Sequence, residues 1–313
     1  MKIVFMGTPD FASGALEALI AAGHEITAVY TQPDKPKGRG KEVQMTPVKV
    51  VALEHGIPVY QPRRIREAEE VEILRQIPAD IFVVAAFGQI LSQEILDMPK
   101  FGCVNIHASL LPKYRGAAPI QWAVIDGEEK TGVTIQQMNA GIDTGDILYT
   151  KEYVLDPKET GASLFDKLMV IGAEAIVEAL PLIEAGRITP IPQNEAEATH
   201  AAKLTKQLGE MDFSKTAAEL ERLVRGLNSW PSAYTFFRGK QLKIWEAEVV
   251  PAAESKAAVP GTVIAVDKQS FTVAAGKGGL QILELQIEGK KRMACKDFLL
   301  GYPISVGEKL GQQ

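Results

Sequence analysis

Cysteine is scarce in this chain, with only Cys103 and Cys295 among 313 residues. The two stand far apart in apolar stretches, which excludes a disulfide framework and reads as two buried, reduced thiols in a cytoplasmic protein. No Cys/His spacing suits zinc, so no metal is expected. Long apolar runs are missing too. Nothing approaches the roughly 20 residues of a membrane span, and Met1-Lys2 leads directly into a strand-like run rather than a signal segment. Neither sign of charge dominates: 34 Lys+Arg face 39 Asp+Glu, a net charge of −5, which argues against a general nucleic-acid binder. Internal repeats and low-complexity tracts are lacking. So is the dinucleotide fingerprint: Gly7 is followed by Thr8-Pro9 rather than further glycines, and no acid closes the next strand at Tyr30. A nicotinamide oxidoreductase is thereby disfavoured.

What is present is an ordinary globular composition, 46% hydrophobic and 23% charged, with length enough for two domains. Strand-like Lys2–Met6 is followed by a glycine turn, a helix with apolar Ala12, Leu16, Leu19 and Ile20, and a second strand at Ile26–Tyr30. Helix-like 47–55, an extended piece at 57–60, a charged helix near 65–76 and the continuous apolar run Asp80–Ala86 continue the alternation. Strand alternating with helix predicts an α/β domain on a parallel, Rossmann-like sheet, and a wholly apolar run suits a strand covered on both faces. Strands are expected at 131–138 and 146–154, and a helix at 162–185. The Pro-bracketed polar stretch 188–195 marks a boundary. The expected organisation is a domain over 1–190, a linker over 191–205 and a second domain over 206–313. In the second, Thr216-Ala217-Ala218-Glu219 is a capping box opening a helix with Leu220, Leu223, Val224 and Leu227 on one stripe. Short strands at 242–249, 261–266, 270–275 and 279–287 then suggest a small OB-like β-barrel. Charge is divided unevenly: 18 Lys+Arg against 25 Asp+Glu in residues 1–190, but 16 against 14 beyond.

The chemistry-bearing stretch is 103–146. A short strand ends in Asn105 and His107, two apart and therefore on one face. A Pro- and Gly-marked segment follows, and Asp143 arrives later between Gly141 and Gly145. Each alone has a bland reading, a structural Asn or a satisfied interior His. Together they supply a hydrogen-bond donor, a proton carrier and a group to orient it. The turn Phe87–Leu91 and the segment Asn105–Pro112 both follow carboxyl ends of strands, so both are expected to line one pocket. Gln32–Lys41 sets four basic residues, Lys35, Lys37, Arg39 and Lys41, among two prolines and two glycines. No helix or strand is expected across it. It is either a plain surface loop or an arm for a polyanion.

Asn105-Ile106-His107-Ala108-Ser109-Leu110-Leu111-Pro112 with Arg115-Gly116-Ala117-Ala118-Pro119, followed by Gly141-Ile142-Asp143-Thr144-Gly145-Asp146, resembles the signature of the 10-formyltetrahydrofolate-dependent formyltransferases. The parts fall in the right order and spacing, and the likeness runs through essentially the whole chain. Members differ in their acceptor, among them an amino-sugar nucleotide, a ribonucleotide amine and charged tRNA. The opening Phe5-Met6-Gly7-Thr8-Pro9-Asp10-Phe11-Ala12, the basic loop 33–41 and the OB-like second domain are similar to those of the members that act on tRNA. The resemblance therefore implies an enzyme that formylates the α-amino group of methionine on initiator tRNA for translation initiation, acting as a monomer.

By the same resemblance Asn105, His107 and Asp143 are catalytic. Ser109, Leu110, Leu111 and Pro112 contact the folate, the turn Phe87, Gly88, Gln89, Ile90 and Leu91 walls its pterin, and Lys35, Lys37, Arg39 and Lys41 grip the tRNA. Residue chemistry adds the division of labour: Asn105 or protonated His107 donates to the formyl oxygen, His107 moves the proton, and Asp143 holds one imidazole tautomer. Arg115 either reaches a ligand anion or caps the helix after it. Lys203, Lys206, Lys240 and Lys243 are expected along the tRNA backbone.

Overall fold

The computed structural model describes residues 1–37, 42–251 and 258–311. They divide into two units: Met1–Pro119 with Lys130–Val154 and Phe165–Ala201, and Ile120–Glu129 with Leu155–Leu164 and Ala202–Gln313.

In the first unit, β1 (Lys2–Gly7) leads into α1 (Asp10–Ala21) and β2 (Glu25–Tyr30). A two-stranded ribbon, β3 (Lys35–Lys37) and β4 (Glu42–Gln44), precedes α2 (Pro47–Glu54) and β5 (Val59–Tyr60). Then come α3 (Ala68–Arg75), β6 (Ile81–Ala85), α4 (Gln93–Leu96), β7 (Cys103–His107), β8 (Arg115–Gly116), α5 (Pro119–Asp126), which belongs to the second unit from Ile120 on, β9 (Lys130–Gln137), β10 (Ile147–Val154), α6 (Gly161–Glu184), which belongs to the first unit from Phe165 on, and β11 (His200–Ala201). The main sheet has the order β10-β9-β7-β6-β1-β2-β5. From β1 the chain steps outward to β2 and β5, then returns to β6 on the other side, which puts the switch point between β1 and β6. Ile3 to Met6 of β1 and all of β6 are buried, as strands covered on both faces require. Gly7 serves packing: a Cβ there would lie 2.6 Å from the Ala12 Cβ and 2.9 Å from the Ala85 oxygen.

Three features depart from the expectations. The sheet is only mostly parallel: β9 runs antiparallel to β7, and β10 antiparallel to β9. The stems of the basic loop do pair, Lys35 with Gln44, Pro36 with Val43 and Lys37 with Glu42. An isolated ribbon tolerates its proline because each strand has a side that needs no N–H. Finally, the helix expected after Arg115 begins only at Pro119, since Arg115 and Gly116 pair in parallel with His200 and Ala201. Gly116 takes φ +113°, and a Cβ there would lie 2.8 Å from the Ala201 oxygen.

The second unit continues with α7 (Ala217–Gly226), β12 (Ala233–Phe237), β13 (Lys240–Val250), β14 (Val263–Val266), β15 (Phe271–Ala274), β16 (Gly279–Ile287), β17 (Met293–Ala294) and α8 (Cys295–Gly301). The expected capping box is formed: the Glu219 N–H donates to Thr216 Oγ1 and the Thr216 N–H to Glu219 Oε2. Leu220, Val224 and Leu227 are buried. The strands form an antiparallel sheet, β12-β13-β16-β15-β14, with β17 beside β16. Strand β12 and helix α8 were not expected from the sequence. The chain's last turn bridges the open edges, because the Val263 N–H donates to the Glu308 oxygen and the Gly311 N–H to the Phe236 oxygen. Closure through this tail removes the unpaired edges of β12 and β14.

Candidate active site

Strand β7 presents Asn105 and His107 on one face, as alternation requires. Their cross-strand partners on β9 are Gln136 and Thr134. Asp143 reaches them by an indirect route. Because β9 is antiparallel to β7, the chain leaves it beside the start of β7, where the Met138 N–H donates to the Cys103 oxygen at 2.8 Å. It then curls back over the sheet. Asn139 Oδ1 staples the turn, accepting from the Gly141 N–H at 3.0 Å and Thr144 Oγ1 at 2.8 Å. Asp143 itself adopts φ +53°.

Its carboxylate collects donors from three segments. Oδ1 accepts from Gln136 Nε2 at 2.8 Å and Asn105 Nδ2 at 3.3 Å, and Oδ2 accepts from the Gly116 N–H at 2.9 Å. His107 Nδ1 stands 3.6 Å from Oδ2. The other ring nitrogen, Nε2, lies 2.9 Å from the Tyr114 carbonyl oxygen. A carbonyl only accepts, so Nε2 carries a proton in either charge state of the ring. The tautomer is thus set by Tyr114 rather than by Asp143. Nδ1, facing the carboxylate, is the nitrogen left to gain or lose a proton.

The remaining expected residues are distributed as follows. Ser109 is fully buried, and its hydroxyl donates to the Lys113 oxygen at 2.7 Å, so it shapes the turn. Leu111 is buried, its N–H donating to Thr134 Oγ1, while Leu110 and Pro112 are half-buried. In the turn after β6, Phe87 and Leu91 point into the core, and Gln89 bonds the Ile65 N–H and the Pro62 oxygen. Gly88 and Ile90 are exposed there. Lys35 is exposed on β3. Arg39 and Lys41, with the side chain of Lys37, lie outside the described residues.

Arg115 neither caps a helix nor faces solvent. Its buried guanidinium donates to Gln193 Oε1 at 3.0 Å and forks onto both oxygens of Glu195 at 2.9 and 2.7 Å. The Glu195 carboxylate, and secondarily the charge of Asp143, raise its pKa further, so the cation is permanent. Gln193 in turn donates to the Asp143 and Gly145 oxygens at 2.8 and 2.6 Å, locking the turn from its other side. Sequence reasoning missed Gln136 and Gln193. The signal for Gln136 was available: Thr134 and Gln136 are polar at alternate positions of an otherwise apolar strand.

A formyl transferase model matches residues 1–180, and a formyl transferase C-terminal domain model matches residues 203–303. The chain belongs to the formyl transferase family. A formyl transferase from Lachnospira eligens, named methionyl-tRNA formyltransferase, is 54% identical over 315 residues, covering 100% of both chains. Its namesake from Agathobacter rectalis is 55% identical over 307 residues, covering 98% of both. Solved structures share the fold at lower identity. WlaRD, a sugar 3N-formyl transferase solved with dTDP and 5-N-formyl-THF, is 20% identical with a TM-score of 0.66 over 93% of this chain and 99% of its own. HypX from Aquifex aeolicus in complex with tetrahydrofolic acid is 18% identical with a TM-score of 0.62, over 100% of this chain and 51% of its own.

Proposed function

We propose that this formyl transferase moves the formyl group of 10-formyltetrahydrofolate onto the α-amino group of methionine on initiator tRNA, as a cytoplasmic monomer serving translation initiation. The observation that carries the reading is the convergence of Asn105, His107 and the thrice-bonded Asp143 on one face of the sheet. Relatives matched over their whole length and named for this reaction support the choice of acceptor.

The residues present fit a folate donor. Ile142, adjoining Asp143 in the chain, is 67% exposed, and Ile90 is 66% exposed on the turn after β6. Apolar side chains left in water beside buried polar groups suit a flat aromatic ligand. Leu110 and Pro112 add half-buried apolar surface just past His107. When bound, the donor supplies an activated formyl carbon. Asn105 uses one Nδ2 proton on Asp143 and has a second to offer the formyl oxygen as negative charge develops there. An α-amino group titrates near pH 8, so the nucleophile loses its proton cheaply. His107 takes that proton at Nδ1, Asp143 Oδ2 stabilises the imidazolium that results, and His107 returns the proton to the folate nitrogen as its bond to the formyl carbon breaks. Exposed Lys35, with Lys37, Arg39 and Lys41 of the same arm, grips the acceptor end. Lys203, Lys206, Lys240 and Lys243 of the second unit follow the tRNA backbone.

The test is single-turnover transfer from 10-formyltetrahydrofolate to methionine-charged initiator tRNA. Folded Asn105→Ala is expected to lose about 100-fold or more in rate, the usual consequence of removing an oxyanion donor. His107→Ala should lose a factor of about 100 to 10,000 as a missing proton carrier. Near-wild-type rates in both would overturn these roles. A wild-type protein that formylates an amino-sugar nucleotide and leaves charged tRNA untouched would overturn the acceptor.

A further inference from the structure

The basic arm leaves the sheet after β2 and rejoins it at α2, and its neck is unusually well tied. At the base, Thr31 Oγ1 and Thr46 Oγ1 are hydrogen-bonded at 2.7 Å, both residues buried. Thr46 is also the N-cap of α2, accepting from the Lys49 N–H at 3.2 Å. One step outward, three side chains from three segments close a ring. Lys49 Nζ on α2 donates to Asp34 Oδ2 at 2.5 Å and to Gln61 Oε1 at 2.8 Å, and Gln61 Nε2 donates to Asp34 Oδ1 at 2.8 Å. Gln61 Nε2 also reaches the Gln32 carbonyl at 2.9 Å. The ring is anchored inward, because Gln32 Nε2 donates to the Phe87 oxygen at 3.2 Å and its N–H to Thr8 Oγ1 at 3.3 Å.

This is not an ordinary surface ion pair. The Lys49 and Asp34 side chains are only 18% and 20% exposed, and Gln61 satisfies both of them at once. With each Asp34 oxygen bonded by a different side chain, the fixed geometry separates this network from the freely moving pairs that contribute little. Lys49, a cation in the basic arm's own neighbourhood, is turned onto Asp34 rather than outward.

We propose that Asp34, Lys49 and Gln61 are positioning residues for the acceptor: a clasp at the neck that fixes the paired stems of the basic arm and, with them, Lys35. The inference rests on the proposed role of that arm in gripping tRNA. An arm held at its neck before the ligand arrives loses less conformational freedom on binding. The clasp therefore acts first on acceptor affinity, and it meets the donor side through the Gln32 bond to the Phe87 oxygen.

Asp34→Asn gives the discriminating measurement. Deleting a negative charge near a polyanion's binding arm would tighten binding by electrostatics alone, whereas an opened clasp weakens it. The KM for charged tRNA is expected to rise about tenfold, the factor for a modest loss of preorganisation. The KM for 10-formyltetrahydrofolate should move much less than the KM for tRNA, and the single-turnover rate with both substrates saturating should stay at the wild-type value. Gln61→Met, which changes no charge, should act in the same direction. In a double-mutant cycle, Asp34→Asn with Lys49→Met should be no worse than the more damaging single change. An unchanged or lowered tRNA KM in Asp34→Asn, or additive losses in the cycle, would overturn the clasp. Amide hydrogen exchange across residues 35–37 and 43–45 reads the clasp without any substrate. Faster exchange there in Asp34→Asn and Gln61→Met supports it, and unchanged exchange sinks it. Failure of the wild-type protein to formylate tRNA would instead count against the proposed function.

Discussion

Burial decides the behaviour of both cysteines. Cys103 lies in β7 at 1% exposure and Cys295 opens α8 at 0%. Desolvation disfavours the thiolate at each site and pushes both pKa values up to about 12, against an ordinary value of 9.0. Between those values the folded state holds protons that the unfolded state has released, so stability falls as pH rises above about 9. The buried Tyr30 phenol is shifted upward as well and adds to the same trend. Urea midpoints measured at pH 7, 9 and 10.5 should decline across the series, and less steeply in Cys103→Ala/Cys295→Ala. An equal decline in both proteins would show that other groups carry it. At this scale Arg115 is the residue most easily misread from sequence. A buried arginine beside the Asp143 turn suggests a ligand anion, yet its fork is filled by Glu195.

At the scale of elements, the turn between β9 and β10 is the demanding piece. It must reverse over the sheet, keep Asp143 left-handed and pass close to its own strand. Gly145 allows that approach, since a Cβ there would fall 1.6 Å from the Gln137 oxygen. A side chain at this position displaces the turn and with it the carboxylate. Gly145→Ala should therefore lower the single-turnover rate about 100-fold, the sensitivity typical of an ångström-scale misplacement. The far-ultraviolet circular dichroism should change little, and tetrahydrofolate affinity should fall less than the rate, since Ile142 is the part of the proposed donor surface that moves with the turn. A wild-type rate in the folded variant would mean that Asp143 does not depend on this turn. The second strut of the same element, Gln193 bound to the Asp143 and Gly145 oxygens, comes from a stretch expected to be bare linker.

For the whole molecule, the net charge of −5 conceals the feature that matters for a tRNA substrate. In the proposed function, local cations, Lys35 in the arm and the lysines of the second unit, neutralise phosphates despite the acidic total. The logarithm of kcat/KM for charged tRNA should fall linearly with the logarithm of salt concentration, and Lys35→Ala should reduce the slope by about one contact. A flat salt response would remove the electrostatic handle. Much of this protein was legible from its sequence. Alternation put Asn105 and His107 on one face, the Thr216–Glu219 box announced α7, and the fully apolar 80–86 run marked a central strand. Each rests on interactions within a few residues, where period and side-chain chemistry act directly. Only the tertiary structure decided the rest: the antiparallel turn of β9, the arrival of Asp143 on Asn105 from 38 residues away, the pairing of Arg115 with Glu195 across 80, and the tail that closes the second sheet. Those contacts depend on how long loops close and which buried polar groups find partners, and no local pattern encodes either.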